Sequence, residues 1–193
     1  SVSPWNFPLI LQARKLAPAL AVGCTTVSRP ASQTPLSLLR LFELMEELDL
    51  PPGAVNLVMG PPAEIMNEFM TNRICRKISF TGSTEVGKEL VRQSSGQMKR
   101  LSLELGGHAP VIVFPDVDVE SVAKASVIGK FRNNGQVCIC PTRFYAHKTI
   151  EKDYLEACVE ETKKLKLCNG LDPEVNIGPM FEARALDKAD AIV

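Results

Sequence analysis

Apolar positions along this chain recur at two spacings, which alternate from one end to the other. Phe7 to Leu20 carries apolar residues at helical spacing, interrupted by Arg14 and Lys15. Cys24 to Ser28 is short and β-branched, which predicts a buried strand. Thr34-Pro35 reads as an N-cap followed by proline at the first helical position, opening a helix through Leu48. Pro51-Pro52-Gly53 stops that helix, and Val55 to Met59 forms the next strand. Pro62 to Thr71 is helical, Lys77 to Thr81 is a strand, and a helix runs from about Ser83 to Gln93. Arg100 to Leu105 alternates in strand fashion until Gly106-Gly107 breaks it, which makes this glycine pair the best domain boundary. Val111 to Phe114 is again a strand, Asp118 caps a helix reaching about Arg132, Phe144 to Ala146 is a strand, and Ile150 to Leu165 is a helix. Such a β-α-β-α order predicts an α/β fold, with parallel strands covered by helices.

Composition narrows the function classes. The 193 residues suffice for one large or two modest domains, and 45% hydrophobic with 23% charged residues is ordinary globular composition. Lys+Arg and Asp+Glu both number 22, so no basic excess points to nucleic acid or a membrane surface. No apolar run reaches the ~18–20 residues of a membrane span, and no signal-peptide pattern opens the chain. Six cysteines (Cys24, Cys75, Cys138, Cys140, Cys158, Cys168) lack metal spacing, and with only two histidines they argue against a zinc site. Reduced thiols fit a cytoplasmic or mitochondrial-matrix protein. Ser1 to Pro4 begins inside a strand pattern, and the helical pattern from Ala183 stops without a cap, so a fragment of a longer polypeptide is expected.

Ligands of α/β sheets bind at the carboxyl ends of strands, and five segments there carry chemistry. Phe80-Thr81-Gly82-Ser83-Thr84 ends a strand and opens a helix whose N–H groups suit a phosphate. Gly82 and Gly87-Lys88 imitate a P-loop, but Glu89 replaces the hydroxyl that would hold Mg²⁺. Arg29, with Ser32 close behind, follows the Cys24 strand; it is either a solvated surface cation or a contact to a ribose or phosphate. Glu104 stands between Leu103 and Leu105, where partial burial would raise its pKa and make it a usable general base; the other reading is a strand-end carboxylate facing water. Asn6, between Trp5 and Phe7 in a rigid turn, is either an N-cap or an oxyanion donor. Cys138, in Asn133-Asn134-Gly135-Gln136-Val137-Cys138, has a polar approach and is the candidate nucleophile, or else a buried structural thiol.

Taken together, Pro4-Trp5-Asn6-Phe7-Pro8, Phe80-Thr81-Gly82-Ser83-Thr84, Leu103-Glu104-Leu105-Gly106-Gly107 and Gly135-Gln136-Val137-Cys138 resemble the motifs of the aldehyde dehydrogenase superfamily, in its order and at its separations. The family subunit is more than twice this length, so the chain resembles its middle. The resemblance implies a Rossmann-like NAD(P)-binding part over 1–106 and the first part of a catalytic thiol domain over 107–193. It implies that Cys138 attacks an aldehyde, that Asn6 and the Cys138 N–H hold the oxyanion, and that Glu104 activates water to hydrolyse the thioester. Gly82 and Ser83 match the pyrophosphate contact and Trp5 an adenine-side or pocket wall. Arg29 stands where the family usually has a lysine on the ribose. Ser32 stands where NAD-preferring members often carry a glutamate, so NADP is expected to be accepted alongside or ahead of NAD.

Within the family the chain is similar to succinate-semialdehyde dehydrogenases, in which Arg14 and Arg132 match arginines that clamp the distal carboxylate. Cys140, two residues past Cys138, resembles the partner of a redox switch in that branch, a pairing that an extended segment would favour. His108 and Pro141 depart from the branch pattern. The resemblance implies an aldehyde as the small-molecule partner, no nucleic acid or membrane, and a homodimer or homotetramer at full length. The alternatives are another semialdehyde or non-acidic aldehyde as substrate, or a non-catalytic structural or regulatory protein on the same fold.

Overall fold

In the computed structural model, which describes residues 1–192, helices and strands alternate along the chain. The helices are α1 (Pro8–Ala21), α2 (Leu36–Glu46), α3 (Pro62–Thr71), α4 (Thr84–Ser94), α5 (Val119–Phe131), α6 (Glu151–Lys163) and α7 (Ala183–Asp190). The strands are β1 (Thr26–Ser28), β2 (Val55–Leu57), β3 (Lys77–Thr81), β4 (Arg100–Glu104), β5 (Ala109–Val113) and β6 (Pro141–Ala146). They pair as β1 with β2, β3 with β4 and β5 with β6, every pair parallel. Two compact units follow one another, the first Ser1–Gly106 and the second beginning at Gly107.

The first unit is joined across its middle by residues 1–3. Val2 bridges in parallel to both Arg29 and Phe80. Its N–H donates to the Ser79 carbonyl at 2.9 Å, and its own carbonyl accepts from the Thr81 N–H at 3.1 Å. On the other side Arg29 N–H donates to the Ser1 carbonyl at 2.8 Å, and Ser3 N–H to the Arg29 carbonyl at 3.3 Å. The spatial order is therefore β2, β1, segment 1–3, β3, β4. The core of this unit packs Phe69 and Met70 of α3 and Leu90 of α4 against Val2, Ile78 and Phe80. Under the segment lies Gln12 of α1, fully buried, whose amide nitrogen donates to Ser28 Oγ at 2.8 Å and Ser1 Oγ at 2.5 Å. One side chain thus ties α1 to both β1 and the bridging segment.

The second unit packs α5 and α6 over β5 and β6. Val113, Ala123 and Tyr154 form its core, and the buried Tyr154 hydroxyl donates to Ser126 Oγ at 2.8 Å. Asp118 caps α5, accepting the Ser121 N–H at 2.7 Å, and this holds its carboxyl below the ordinary aspartate value. Among the described residues no helix is long and apolar enough to cross a membrane.

Two local expectations are corrected. Thr34 is not the cap of α2: the cap position is Pro35 with no side-chain bond, and the Thr34 hydroxyl donates to the Trp5 carbonyl at 3.1 Å instead. A long-range acceptor has won over the local one. β6 begins at Pro141, three residues ahead of the predicted Phe144, because parallel pairing with β5 extends there across an irregularity at Ala109 and Pro110; a proline without an N–H is tolerated as a first strand residue.

Replacing Gln12 with Leu is expected to cut α1 loose from Ser1 and Ser28, leaving those two hydroxyls to bond each other at 3.1 Å, and to destabilise the first unit by about 1–3 kcal/mol, the net worth of two hydrogen bonds. A lower urea midpoint at unchanged slope would register this.

Candidate active site

In the first unit the parallel arrangement sends the chain off every strand at the same edge, and the predicted residues stand there. Register does the first part of the work. Thr81 lies opposite Glu104 across the β3–β4 ladder, and the Thr81 hydroxyl donates to Glu104 Oε2 at 3.0 Å. Arg14, on α1, donates to Glu104 Oε1 at 3.3 Å. Lys15, next along the same helix, donates to Thr81 Oγ1 at 2.5 Å. A chain of bonds therefore runs Lys15–Thr81–Glu104–Arg14. Glu104 is neither enclosed between its leucine neighbours nor pointed only at water: its side chain is 38% exposed and its two oxygens are held by Thr81 and Arg14. Arg14, at 62% side-chain exposure, engages Glu104 rather than standing alone.

Lys15 and Thr81 escaped the sequence reading as members of this group. A signal was present, since Gln12 and Lys15 interrupt the same helical stripe that Leu11 and Leu16 bury. Burial lowers the Lys15 ammonium from the ordinary lysine value of 10.5, Glu104 opposes the drop and Arg14 adds to it.

The loop after β3 is shaped by close packing. A Cβ at Gly82 would fall 2.4 Å from a carbon of the buried Phe80 ring, and one at Gly87 would fall 2.6 Å from Leu105. Gly87 lies inside α4, not in a phosphate loop, and Glu89 on the same helix is bound to Gln93 and Arg92, which hold its carboxyl below the ordinary value. Ser83 caps α4, its oxygen accepting the Val86 N–H at 3.3 Å. That bond does not use the hydroxyl hydrogen, which can still be donated to a ligand at the helix N-terminus.

Arg29 follows β1 and is buried, at 9% exposure, which removes the reading of a solvated surface cation. Its guanidinium donates to Ser32 Oγ at 2.7 Å, no carboxylate pairs with it among the described residues, and burial lowers its pKa. Asn6 does not cap α1: the cap position is Phe7 without a side-chain bond, and Asn6 Oδ1 accepts the Phe7 N–H at 3.0 Å. Trp5 is half-buried beside it.

In the second unit Cys138 is a free, half-buried thiol. It does not lie in an extended segment. Cys140 N–H donates to the Val137 carbonyl at 3.0 Å and closes a turn around Cys138 and Ile139. The premise that would turn the Cys138 and Cys140 side chains the same way therefore fails. Cys140 is buried and free, its thiol donating to the Lys130 carbonyl at 3.4 Å, with Lys130 Nζ 3.8 Å from the sulfur. Arg132 lies just past α5 at its C-cap and is exposed. The backbone before Cys138 is left-handed: Asn133, Asn134 and Gly135 have φ of 50°, 57° and 73°, at a cost to the two asparagines but not to the glycine. Left-handed backbone costs an L-residue roughly 1–2 kcal/mol, less for asparagine. A Cβ at Gly107 would lie 3.5 Å from the Cys138 carbonyl, and His108 Nδ1 is 3.0 Å from the Thr142 hydroxyl.

Comparison with known proteins adds to this geometry. A sequence profile described as the aldehyde dehydrogenase family matches residues 1–193. Over 190 residues the chain is 43% identical to a glutarate-semialdehyde dehydrogenase of Pseudomonas aeruginosa, covering 98% of this chain and 39% of that protein. Over 188 residues it is 46% identical to an NADP-dependent succinate-semialdehyde dehydrogenase of Schizosaccharomyces pombe, covering 97% of this chain and 38% of that protein. A crystal structure of an Escherichia coli NADP-dependent enzyme superposes with a TM-score of 0.94 at 43% identity, over 98% of this chain and 40% of that one. The chain thus spans about two fifths of the length of the relatives it matches.

Between its lowered pKa and 10.5, Lys15 binds fewer protons in the folded than in the unfolded chain, so its contribution to stability rises with pH through that window. Urea midpoints of the parent and of Lys15→Met, measured from about pH 8 to pH 11, are expected to diverge in the parent's favour toward the alkaline end.

Proposed function

Because this chain belongs to the aldehyde dehydrogenase family, we propose that it is the central stretch of an NAD(P)-dependent semialdehyde dehydrogenase that oxidises succinate semialdehyde to succinate. The first unit is its cofactor part and the second carries the thiol. The observation that carries the reading is the Cys138 turn, a free, half-buried thiol presented on a loop held in a disfavoured conformation.

Cys138 Sγ attacks the aldehyde carbon, and the carbonyl oxygen becomes an oxyanion for the Asn6 amide and the Cys138 N–H to hold. Bound NAD(P) supplies the acceptor for the hydride that leaves this carbon. Loss of the hydride makes the adduct a Cys138 thioester. Glu104 then takes a proton from water, whose oxygen attacks the thioester carbon; the carboxylate departs and the thiol is regenerated. Thr81 and Arg14 fix the orientation of the Glu104 carboxylate in this reading.

The residues fit a nicotinamide dinucleotide. Ser83 at the N-terminus of α4 suits its pyrophosphate, and Trp5 walls the adenine side. A buried Arg29 whose partner is a serine hydroxyl, with no carboxylate paired to it among the described residues, suits a ribose 2′-phosphate. Arg132 takes the distal carboxylate of the substrate, and Arg14 joins it by exchanging its bond to Glu104 for one to the substrate, which orients the aldehyde end toward Cys138. Similarity to a glutarate-semialdehyde dehydrogenase supports a second reading in which the substrate is one methylene longer.

All tests use the full-length polypeptide. Arg132→Ala is expected to raise KM for succinate semialdehyde about 10- to 150-fold, as the loss of one charge-assisted contact does, and to leave an uncharged aldehyde unaffected. Equal losses on both substrates would remove the carboxylate clamp. The parent is expected to use NADP at least as well as NAD, and Arg29→Ala to lower kcat/KM for NADP more than for NAD; a parent strongly favouring NAD would remove the role given to Arg29.

A further inference from the structure

The loop that carries Cys138 is held at two points, and each holds it differently. Downstream, the Cys140 N–H closes on the Val137 carbonyl at 3.0 Å and the Cys140 thiol donates to the Lys130 carbonyl at 3.4 Å, fixing the loop to the end of α5. Upstream stand the three left-handed residues Asn133, Asn134 and Gly135. Such a run persists only where its surroundings over-determine it. Asn133 is satisfied locally: its carbonyl accepts the Gln136 N–H at 3.0 Å, and its amide nitrogen reaches the Gln136 carbonyl at 3.3 Å.

Asn134 behaves otherwise. Its amide nitrogen reaches far along the chain, donating to the Gly178 carbonyl at 2.7 Å and the Pro179 carbonyl at 2.8 Å. Both donors of one NH₂ group are thereby taken by consecutive carbonyls. Gln136 adds a third tie, its Oε1 accepting the Phe181 N–H at 3.2 Å. The acceptors and donor of these ties belong to a strap, residues 178–181, which is anchored behind this contact. Cys168 N–H donates to the Ile177 carbonyl at 3.0 Å, and Lys166 and Asn176 exchange bonds of 2.9 and 3.0 Å, just after α6. Nothing in the oxidation described above uses Asn134, yet with Gln136 it links the Cys138 loop to a segment 44 residues away.

We infer that Asn134 is a positioning residue for Cys138: its carboxamide clips the left-handed turn to the 178–181 strap and so fixes the direction in which the thiol and the Cys138 N–H face. The inference rests on the reading of Cys138 as nucleophile. Only three residues separate Asn134 from Cys138, so losing two of the three upstream ties loosens the thiol while the downstream point and the Gln136 tie hold. Misplacement of a reacting atom by about 1 Å can lower the rate 10²-fold.

Backbone and side-chain roles of Asn134 can be separated. Asn134→Gly keeps the left-handed conformation without strain and removes the clip. Asn134→Asp keeps the size and tolerates the same backbone, but sets carboxylate oxygens against two carbonyls. In the full-length polypeptide, both are expected to lower kcat on the order of tenfold or more and to slow alkylation of Cys138 by iodoacetamide. KM for NADP and the thermal midpoint of the glycine variant are expected to stay near those of the parent, which a merely structural role would not allow. Parent-like kcat in Asn134→Gly, or a fall in kcat matched by a fall in thermal midpoint and cofactor affinity in both variants, would overturn the clip. Cys138→Ser run alongside separates the two levels. If that variant is dead while Asn134→Gly is normal, only the positioning role fails; if it turns over normally, the nucleophile reading fails and the positioning role with it.

Discussion

Everything in the first unit depends on the backbone of residues 1–3. Without Val2, β1–β2 and β3–β4 are separate two-stranded ladders, each too small to order a site. With it, Val2 hydrogen-bonds Ser79 and Thr81 on one side while its neighbours bond Arg29 on the other, and five parallel segments share one edge. Parallel strands all end on the same side, so the residues that follow them are neighbours in space although far apart in sequence. Arg29 leaves β1, Trp5 and Asn6 leave the bridging segment, Gly82 and Ser83 leave β3, and Glu104 closes β4. Gln12 secures the arrangement from beneath by holding Ser1 and Ser28 with one amide.

That edge has an electrostatic order of its own. Glu104 is flanked by Arg14 directly and by Lys15 through Thr81, so two cations of one helix serve one carboxylate. Arg29 is handled in the opposite way, buried against a serine hydroxyl with no anion supplied by the described residues. A buried cation without a carboxylate is expensive unless an anion arrives, which is why the reading gives it a phosphate. In the second unit the constraint is conformational rather than electrostatic. Left-handed backbone at Asn133–Gly135 turns the chain sharply out of α5, and the Val137–Cys140 turn brings it back into β6, leaving Cys138 at the bend.

Much of this was legible from residue order. α3 and β3 are bounded as the pattern predicts, and Asp118 and Ser83 cap their helices, because these signals are local: a proline at a helix start, an oxygen three residues before an N–H, a β-branched run. Thr34 shows where locality ends. Its hydroxyl had a cap to make and made a bond to Trp5, 29 residues away, instead. Lys15 shows the same from the other side, an interruption of an apolar stripe whose meaning appears only once Thr81 is opposite it.

What the sequence by itself determined is the chemistry on offer and the family it belongs to, since four short motifs in register restrict residue types at positions where backbone approach and reactivity allow few substitutes. The tertiary structure alone decided which groups act together: that Glu104 is held by Arg14 and Thr81, that Arg29 is buried with Ser32, that Cys138 lies on a turn and not on a strand, and that Asn134 ties this turn to residues 178 and 179. The reason is physical. Propensity, capping and periodicity act over a few residues, whereas hydrogen-bond partners are chosen by distance in space, and only the packed ladder and the strap bring those partners within about 3 Å of one another.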